Sequence, residues 1–438
     1  MPNLYKYNKS VFRAIILSFC IISGAFMLSS LHFEKECIER PFLLIEIACG
    51  CVYIGGISIS TRIKNINQLL FCIFFSSLII SFATRIFFLD YYKSPFGLST
   101  DSYTYDTWVI PFLKSGFSYL INNLSIDDFG YPYILYHVYK IAGDVEFGRV
   151  LMLLLNSLLL VLSSGILYRL SILLDFPIRE AIIAAGLYGF NPFLYITASV
   201  GLKEVIFCFL IISSLYYMFR WRENKDIVSF VLCVCFILST LFFRTAICLM
   251  LLICLGLYAI TTNSNKKSIL WFLMICGICS PIFANYILEN FIGISIEQLI
   301  AIARFRSLAM GSEIIGPIVQ VCAALIGPFP NFFRLGQYAV LFSSGILLKS
   351  LFNIFFFIGA WDVISDLNYR FYPLVLFSLF GIVSVILAGV ALDMRFVITF
   401  FPSFILVSLY GIQRINKFGF FYPYLLFLVI ITAAYNVR

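Results

Sequence analysis

Apolar residues recur along this chain in runs of about 15 to 23 positions, and short polar connections separate the runs. A helix needs about 20 apolar residues to cross the roughly 30 Å of hydrocarbon in a bilayer, and a helix satisfies its own backbone groups there. The pattern therefore predicts an all-α polytopic membrane helical bundle of about 13 transmembrane helices, within bounds of about 11 to 14. The predicted spans cover residues 13-31, 42-60, 69-89, 148-169, 181-199, 205-219, 227-243, 245-262, 269-288, 338-360, 371-391, 396-413 and 419-435.

Composition agrees with this class of protein. The 438 residues are 62% hydrophobic and only 12% charged, which leaves too few polar side chains to cover a soluble globule. Neither an internal repeat nor a low-complexity linker interrupts the sequence. We expect a single integral-membrane domain over residues 1-438.

The distribution of Lys and Arg predicts the orientation in the membrane. Basic residues gather in alternate short connections, which the positive-inside rule assigns to the cytoplasm. We therefore expect a cytoplasmic N-terminus and two long outer loops with juxtamembrane helices at residues 90-147 and 289-337. We further expect a location in the bacterial inner membrane, in which these loops are periplasmic. The net charge of +8 is a property of the cytoplasmic face, so it does not indicate nucleic-acid binding. The basic residues on that face include Arg62, Lys64, Arg179, Arg220, Arg222, Lys225, Arg370 and Arg414.

Several kinds of chemistry find no support in the sequence. The 13 cysteines lie mostly inside predicted spans, where they act as small apolar residues. The pair in Cys276-Gly-Ile-Cys279 lacks the second ligand pair of a zinc site, and two histidines cannot form a histidine-rich metal centre. No Walker loop, dinucleotide fingerprint or nucleophile elbow occurs, which argues against ATP hydrolysis, hydride transfer and serine hydrolase chemistry.

An acidic, tyrosine-rich segment at 98-108 stands out in the first long loop. Carboxylates close to so much hydrocarbon cost several kcal/mol unless they face water or a partner. We therefore interpret Asp101 and Asp106 as candidate catalytic residues at the membrane edge, with Asp101 as the first choice. A solvated loop acid without a catalytic role is the alternative interpretation of each.

Further motifs follow this segment in a fixed order. They are Gly130-Tyr-Pro132, a span that begins near Arg149 and carries Asn156, the segment from Asn191 to Glu204, Gly327-Pro-Phe-Pro330, and Asp393-Met-Arg395 at the start of a late span. In this order the chain resembles the GT-C class of integral-membrane glycosyltransferases, which take sugars from polyprenyl-linked donors. The many spans with two large outer loops are also similar to the O-antigen repeat-unit polymerases. Either resemblance implies glycosyl transfer at the outer face of the membrane in surface-polysaccharide assembly.

Glycosyl transfer from a lipid pyrophosphate needs a carboxylate that deprotonates the acceptor hydroxyl, and cations or a metal that neutralise the departing phosphate. Asp101 is our candidate for the base, and a divalent cation at Asp101 is an open alternative; the polymerase interpretation requires no cofactor. Tyr103, Tyr105 and Tyr131 are predicted to contact the glycan. The predicted donor pyrophosphate-binding residues are Lys203, Arg244, Arg304, Arg306, Arg334 and Arg395.

The most specific hypothesis is an O-antigen repeat-unit polymerase that joins units carried on undecaprenyl pyrophosphate. Its expected partners are the undecaprenyl-linked oligosaccharide, membrane lipid and a chain-length regulator protein, without nucleic acid. Two alternatives stay open: a flippase for the lipid-linked oligosaccharide, and a GT-C transferase that adds a single branch sugar. A flippase is expected to carry charged residues inside its spans, whereas here polar residues collect in the outer loops.

Overall fold

The computed structural model describes residues 9–32, 40–97, 99–115, 128–261, 286, 289, 295–308, 314–331, 341–366, 368–415 and 419–437, and their regular structure is helical throughout. The helices are α1 (Lys9–His32), α2 (Arg40–Ser60), α3 (Ile66–Tyr92), α4 (Thr100–Ser115), α5 (Gly130–Ala142), α6 (Val145–Leu173), α7 (Ile178–Gly189), α8 (Pro192–Val200), α9 (Glu204–Asn224), α10 (Ile227–Thr240), α11 (Thr245–Thr261), α12 (Ile296–Leu308), α13 (Ile315–Leu325), α14 (Ser343–Ser365), α15 (Tyr372–Leu387), α16 (Met394–Val397), α17 (Phe401–Arg414) and α18 (Phe421–Val437). A 3₁₀ turn at Ile398–Phe400 joins α16 to α17. The predicted all-α class is confirmed.

Six of the described helical stretches are long and apolar enough to cross a membrane. They are Phe42–Ser60, Ile66–Tyr92, Val145–Leu173, Glu204–Asn224, Ser343–Ser365 and Met394–Arg414. Other apolar helices are shorter; α10, for example, has 14 residues and is about 21 Å long at 1.5 Å per residue. Length and composition thus support a helical membrane protein with six long spans rather than the full predicted set. The predicted span 269-288 lies outside the described residues except at 286.

The predicted span 181-199 is broken rather than continuous. Its halves α7 and α8 meet at an angle of 42°. Pro192 has no N–H to continue the α7 ladder, and the side chain of Asn191 caps α8 by accepting the N–H of Phe193 at 2.9 Å. If the bent pair counts as one span, the number rises to seven.

At one end of the bundle, which we call the basic end, ion pairs join connections that are far apart in sequence. Arg370 pairs with Asp175 from the α6–α7 connection and with Glu223 from the end of α9, the latter at 2.6 Å. Arg414 reaches Asp366 at 3.3 Å, so the ends of α14 and α17 lie there as well. Helices α6, α9, α14 and α17 therefore all have one terminus at this end.

At the other end, which we call the cleft end, α4 and α5 lie in the region between α3 and α6. The α4 and α5 helices pack on each other, and α5 packs on the start of α6. These helices belong to the predicted loop 90-147, of which residues 116–127 lie outside the described part. Within the described residues this loop is largely helical, because three buried tyrosines and Leu135 on α5 anchor it to the bundle.

The segment 326–331, which contains the Gly-Pro-Phe-Pro motif, is irregular yet mostly buried. Side chains of the flanking helices α14 and α18 satisfy its backbone carbonyls. Asn353 donates to Ile326 O, Lys349 to Gly327 O and Asn436 to Pro330 O. Irregular backbone survives inside an apolar bundle only when its polar groups are paired in this way, which explains why Lys349 is buried in a predicted span.

Helices α14 and α17 cross with no room for a side chain between them. A Cβ on Gly411 would lie 2.1 Å from Phe355 O, and a Cβ on Gly359 would lie 2.2 Å from Val407 O. We expect Gly411→Val to lower the free energy of unfolding by about 2 to 3 kcal/mol, because the helices must separate. Thermal unfolding in detergent measures this loss of stability. Gly55→Val is the control, since its Cβ would meet no atom within 4 Å; equal losses in both variants would contradict the close crossing.

Candidate active site at the cleft end of the bundle

A polar cleft of about 340 Å³ opens at the cleft end. Five segments form it: α4, the residues just before α5, the α8–α9 turn, the α10–α11 turn and the start of α16. Its lining residues are Asp101, Thr104, Tyr105, Trp108, Asp128, Lys203, Glu204, Phe243, Arg244, Arg395 and Phe396. Of the residues predicted for the site, Asp101, Tyr105, Lys203, Arg244 and Arg395 meet here.

Arg395 is held in a fixed orientation by its neighbour Asp393. The Asp393 carboxylate caps α16 by accepting the backbone N–H of Arg395 at 2.9 Å. The same carboxylate accepts Nε on Oδ1 at 3.2 Å and Nη2 on Oδ2 at 2.8 Å, which is the bidentate geometry that a guanidinium favours. The remaining nitrogen, Nη1, points into the cleft and pairs with Asp101.

Arg244 crosses the floor of the cleft. Its Nη2 lies 3.4 Å from Glu204 Oε1, and its Nη1 donates to the backbone oxygen of Arg395 at 3.3 Å. The guanidinium also lies 4.2 Å from the centre of the Phe396 ring. Glu204 is 2% exposed, so this pair is buried, and Oε2 of Glu204 has no hydrogen-bond partner among the described residues.

Lys203 closes a third side of the cleft. Its Nζ donates to Asp128 Oδ1 at 2.8 Å and to the backbone oxygen of Phe243 at 3.2 Å, and it lies over the ring of Tyr105. The Tyr105 hydroxyl points to the same Asp128 oxygen at 3.5 Å. Burial, followed by the negative charge of Asp128, raises the pKa of the Tyr105 phenol, so this residue stays a hydrogen-bond donor.

The cleft is balanced in charge and partly aromatic. Each of its three cations already has a carboxylate partner, so an incoming anion must compete with Asp101, Asp128 or Glu204. Trp108 and Phe396 provide flat apolar faces beside these charges. Sugar rings bind against such faces, and phosphates bind to guanidinium and ammonium groups.

The two other residues that were predicted to contact the glycan, Tyr103 and Tyr131, do not line the cleft. Tyr103 is 59% exposed on the outer side of α4. Tyr131 is buried behind the cleft, where its hydroxyl donates to Gly201 O at 2.5 Å and its ring contacts Tyr105 edge-on at 5.3 Å between centroids. Tyr131 therefore supports the cleft wall and the Gly201 turn.

Asp106 lies on another face of α4 from Asp101 and outside the cleft. Arg149 holds it through Nε, at 3.1 Å from Oδ1, and through Nη2, which pairs with Oδ2. Tyr139 donates its hydroxyl to the same carboxylate at 2.6 Å. With 2% of Asp106 exposed, this group ties α4, α5 and α6 together.

Two predicted arginines of the second loop, Arg304 and Arg306, do not line the cleft. Arg304 and Arg306 are exposed on α12, and Arg306 donates to Ala388 O at 2.9 Å. The buried Gln320 of α13 bridges Gly389 O and Ala391 N, both at 2.9 Å. These contacts hold the turn that leads to Asp393 and Arg395. Arg334 lies outside the described residues.

Three acidic residues of the site were not selected from the sequence. Glu204 and Asp393 occurred in the sequence analysis only as members of motifs, and Asp128 was not singled out at all. Their position in the sequence could have identified them, because each is an acid next to a predicted span or juxtamembrane helix. Among the described residues, no group of three His, Cys, Asp or Glu side chains is arranged to hold a metal ion.

Comparisons with known proteins add nothing to this description. No family model matches the chain, and no curated protein and no solved structure is significantly similar to it.

Proposed function

We propose that this protein is a membrane glycosyltransferase that acts on undecaprenyl-linked sugars in surface-polysaccharide assembly, as an O-antigen repeat-unit polymerase. The observation that carries the proposal is the cleft, in which the Asp101 carboxylate and the Arg395, Arg244 and Lys203 cations surround one space. A reaction between a hydroxyl and a lipid pyrophosphate needs this combination of groups. A transferase that adds a single branch sugar would use the same groups.

In the proposed reaction the acceptor hydroxyl attacks the anomeric carbon of the donor sugar. Its proton passes to Asp101, the bond between the anomeric carbon and the phosphate oxygen breaks, and the lipid pyrophosphate leaves with the electron pair. Arg395, Arg244 and Lys203 stabilise the negative charge on the leaving group. Asp393 keeps the Arg395 guanidinium in place when Asp101 turns from its ion pair to the acceptor.

The proposed orientation has the cleft in the periplasm and the N-terminus in the cytoplasm, in the bacterial inner membrane. The basic end then faces the cytoplasm, in agreement with the positive-inside rule. Shorter apolar helices are included among the proposed 13 spans where they, too, lead from one end of the bundle to the other. For example, α10 begins after Lys225 and leads to Phe243 in the cleft. A chain-length regulator is the proposed protein partner, and loops 90-147 and 289-337 face it.

A flippase is the second candidate, and specific observations favour it. Glu46 and Lys349 are buried inside spans, and the bent pair of α7 and α8 interrupts another. Charged groups and broken helices inside the membrane are common along transport paths. Lys349, however, donates a hydrogen bond to the carbonyl oxygen of Gly327, and Glu46 accepts the N–H of Ser344 at 2.7 Å. Both charged groups therefore stabilise the packing of the bundle.

The test uses cells that lack the protein and are complemented with variants at matched expression. We expect the deletion to lose the long lipopolysaccharide ladder on a gel and to keep a single-repeat band. Wild type should restore the ladder, whereas Arg395→Ala should not. Arg62→Ala is the control, because Arg62 carries a similar charge in the α2–α3 connection, away from the cleft.

Other outcomes distinguish the alternatives. If no repeat unit reaches the outer face in the deletion strain, the flippase gains support and the polymerase loses it. An intact ladder with an altered sugar composition would indicate a branch-sugar transferase. A ladder that Arg395→Ala restores fully would contradict the role of the cleft.

A further inference from the structure

One face of helix α4 forms a wall of the polar cleft. The residues of α4 that line the cleft are Asp101, Thr104, Tyr105 and Trp108. Spacings of three and four residues place these side chains on the same face of a helix. From Asp101 to Trp108 this face is about 10 Å long at 1.5 Å per residue. It carries a carboxylate at one end and an indole at the other.

The cations of the cleft come from other segments. Lys203 lies in the α8–α9 turn, Arg244 in the α10–α11 turn and Arg395 in α16. None of the four α4 residues that line the cleft is basic. A phosphate therefore binds best at the other segments, whereas the face of α4 suits an uncharged molecule that carries hydroxyl groups.

Two of the four aromatic rings that line the cleft are already engaged in packing. Phe243 is 5% exposed and stacks on Phe207, with 5.9 Å between the ring centroids and 20° between the planes. Tyr105 is 6% exposed, and the ammonium group of Lys203 lies over its ring, 5.7 Å from the centroid. A ligand would have to displace these neighbours to stack on either ring.

Of the other two rings, Trp108 is the better platform for a ligand. The Arg244 guanidinium lies 4.2 Å from the centre of the Phe396 ring, so Phe396 supports a cation. Trp108 is half-buried, and in the described part of the chain its ring contact is with Tyr105. The two planes lie at 70°, with 5.8 Å between the centroids. A neighbour at this angle covers at most one face of the indole.

We propose that this face of α4 is the acceptor subsite of the cleft, and that Trp108 stacks against the apolar face of the acceptor's sugar ring. A stacked sugar keeps its hydroxyl groups at the edge of the ring, where Thr104 and Asp101 bind them. The reacting hydroxyl then lies next to the Asp101 base. That this sugar is the acceptor rests on the proposed function, whereas sugar binding at Trp108 does not require that transfer occurs.

The binding test uses the purified full-length protein and the repeat-unit oligosaccharide that mild acid releases from its lipid pyrophosphate. This probe carries sugars but no phosphate. We expect Trp108→Ala to raise its Kd by about tenfold, because the stacking contact is lost. Inorganic pyrophosphate is the second probe, and its Kd should not change. Trp361→Ala is the matched control, because Trp361 is 71% exposed on α14, near the basic end.

Tryptophan fluorescence provides a measurement that does not depend on the folding of Trp108→Ala. Trp108→Phe keeps an aromatic ring beside Tyr105 but removes the indole. We expect the oligosaccharide to change the fluorescence of wild type and of Trp361→Phe, and to leave that of Trp108→Phe unchanged. A fluorescence change that Trp108→Phe retains in full would overturn the proposal.

A transfer assay separates this inference from the proposed function. In Trp108→Ala the KM for the acceptor should rise by about tenfold, with less than about a twofold change in the KM for the lipid-linked donor. Transfer with an unchanged acceptor KM, or an equal loss of oligosaccharide and pyrophosphate binding, would overturn the subsite alone. Oligosaccharide binding that depends on Trp108 in a protein without transfer activity would support the sugar site and overturn the proposed function.

Discussion

Asp101→Asn is expected to lower the rate of glycosyl transfer by about 10²- to 10⁴-fold while the protein stays folded. Asparagine keeps the size of the side chain and can still accept a hydrogen bond from Arg395, but it cannot take a proton from the acceptor hydroxyl. The Asp101 side chain is 46% exposed, so the change places no unsatisfied charge in the interior. The measurement is single-turnover transfer between purified lipid-linked repeat units in detergent.

The design separates catalysis from positioning. If Asp101 only orients Arg395, then Asp101→Asn should change the KM for the donor by less than about tenfold and leave kcat nearly intact. Asp393→Asn is the complementary variant, because Asp393 holds the same guanidinium from the other side. A base role predicts that Asp101→Asn reduces kcat more strongly than Asp393→Asn does. The reverse order would refute our assignment of the base.

Asp106→Asn is expected to act on stability, with a loss of about 3 to 5 kcal/mol in the free energy of unfolding. Asp101→Asn makes the same chemical change on the same helix. The consequence differs because the Asp106 carboxylate is buried and paired with Arg149. Without its charge, the Arg149 guanidinium keeps only the exposed Glu146 as an acidic partner. Unfolding in detergent, followed by tryptophan fluorescence or by loss of the monodisperse elution peak, measures the effect.

Asp101→Asn is the matched control for this experiment, because it exchanges the same groups 5 positions earlier on α4. We expect its Tm to stay close to that of wild type. Tyr139→Phe should give a smaller loss than Asp106→Asn, of about 1 kcal/mol, because it removes one hydrogen bond to the carboxylate. A stable Asp106→Asn protein with no activity would instead return Asp106 to the list of catalytic candidates.

The sequence singled out Asp101 and Asp106 as catalytic candidates and ranked Asp101 first, but it did not predict that the two carboxylates have different roles. Both are acids in one tyrosine-rich helix close to the membrane, and their local patterns are nearly the same. Their rotation about the α4 axis separates them, since it turns Asp101 toward Arg395 and Asp106 toward Arg149. In the sequence, Arg149 only marked the start of a predicted span, and the structure gives it a role as the partner of the buried Asp106.

The sequence by itself determined the helical class and the presence of long apolar spans, because hydrophobic runs without internal polar periodicity have one stable form in lipid. It also located most charged residues in the connections, including Lys203, Arg244 and Arg395. These properties are local, so a pattern along the chain contains them.

Only the tertiary structure decided which of these charges share a site. Lys203, Arg244 and Arg395 lie on three separate connections, and their proximity depends on how α8, α10 and α15 end at the same end of the bundle. Arg304 and Arg306 had the same local signature but lie on α12, which packs outside the cleft. Charged side chains pair when they lie within a few ångströms of each other in space. A sequence pattern gives only their positions along the chain. The packing of the helices decides which of these positions come close together.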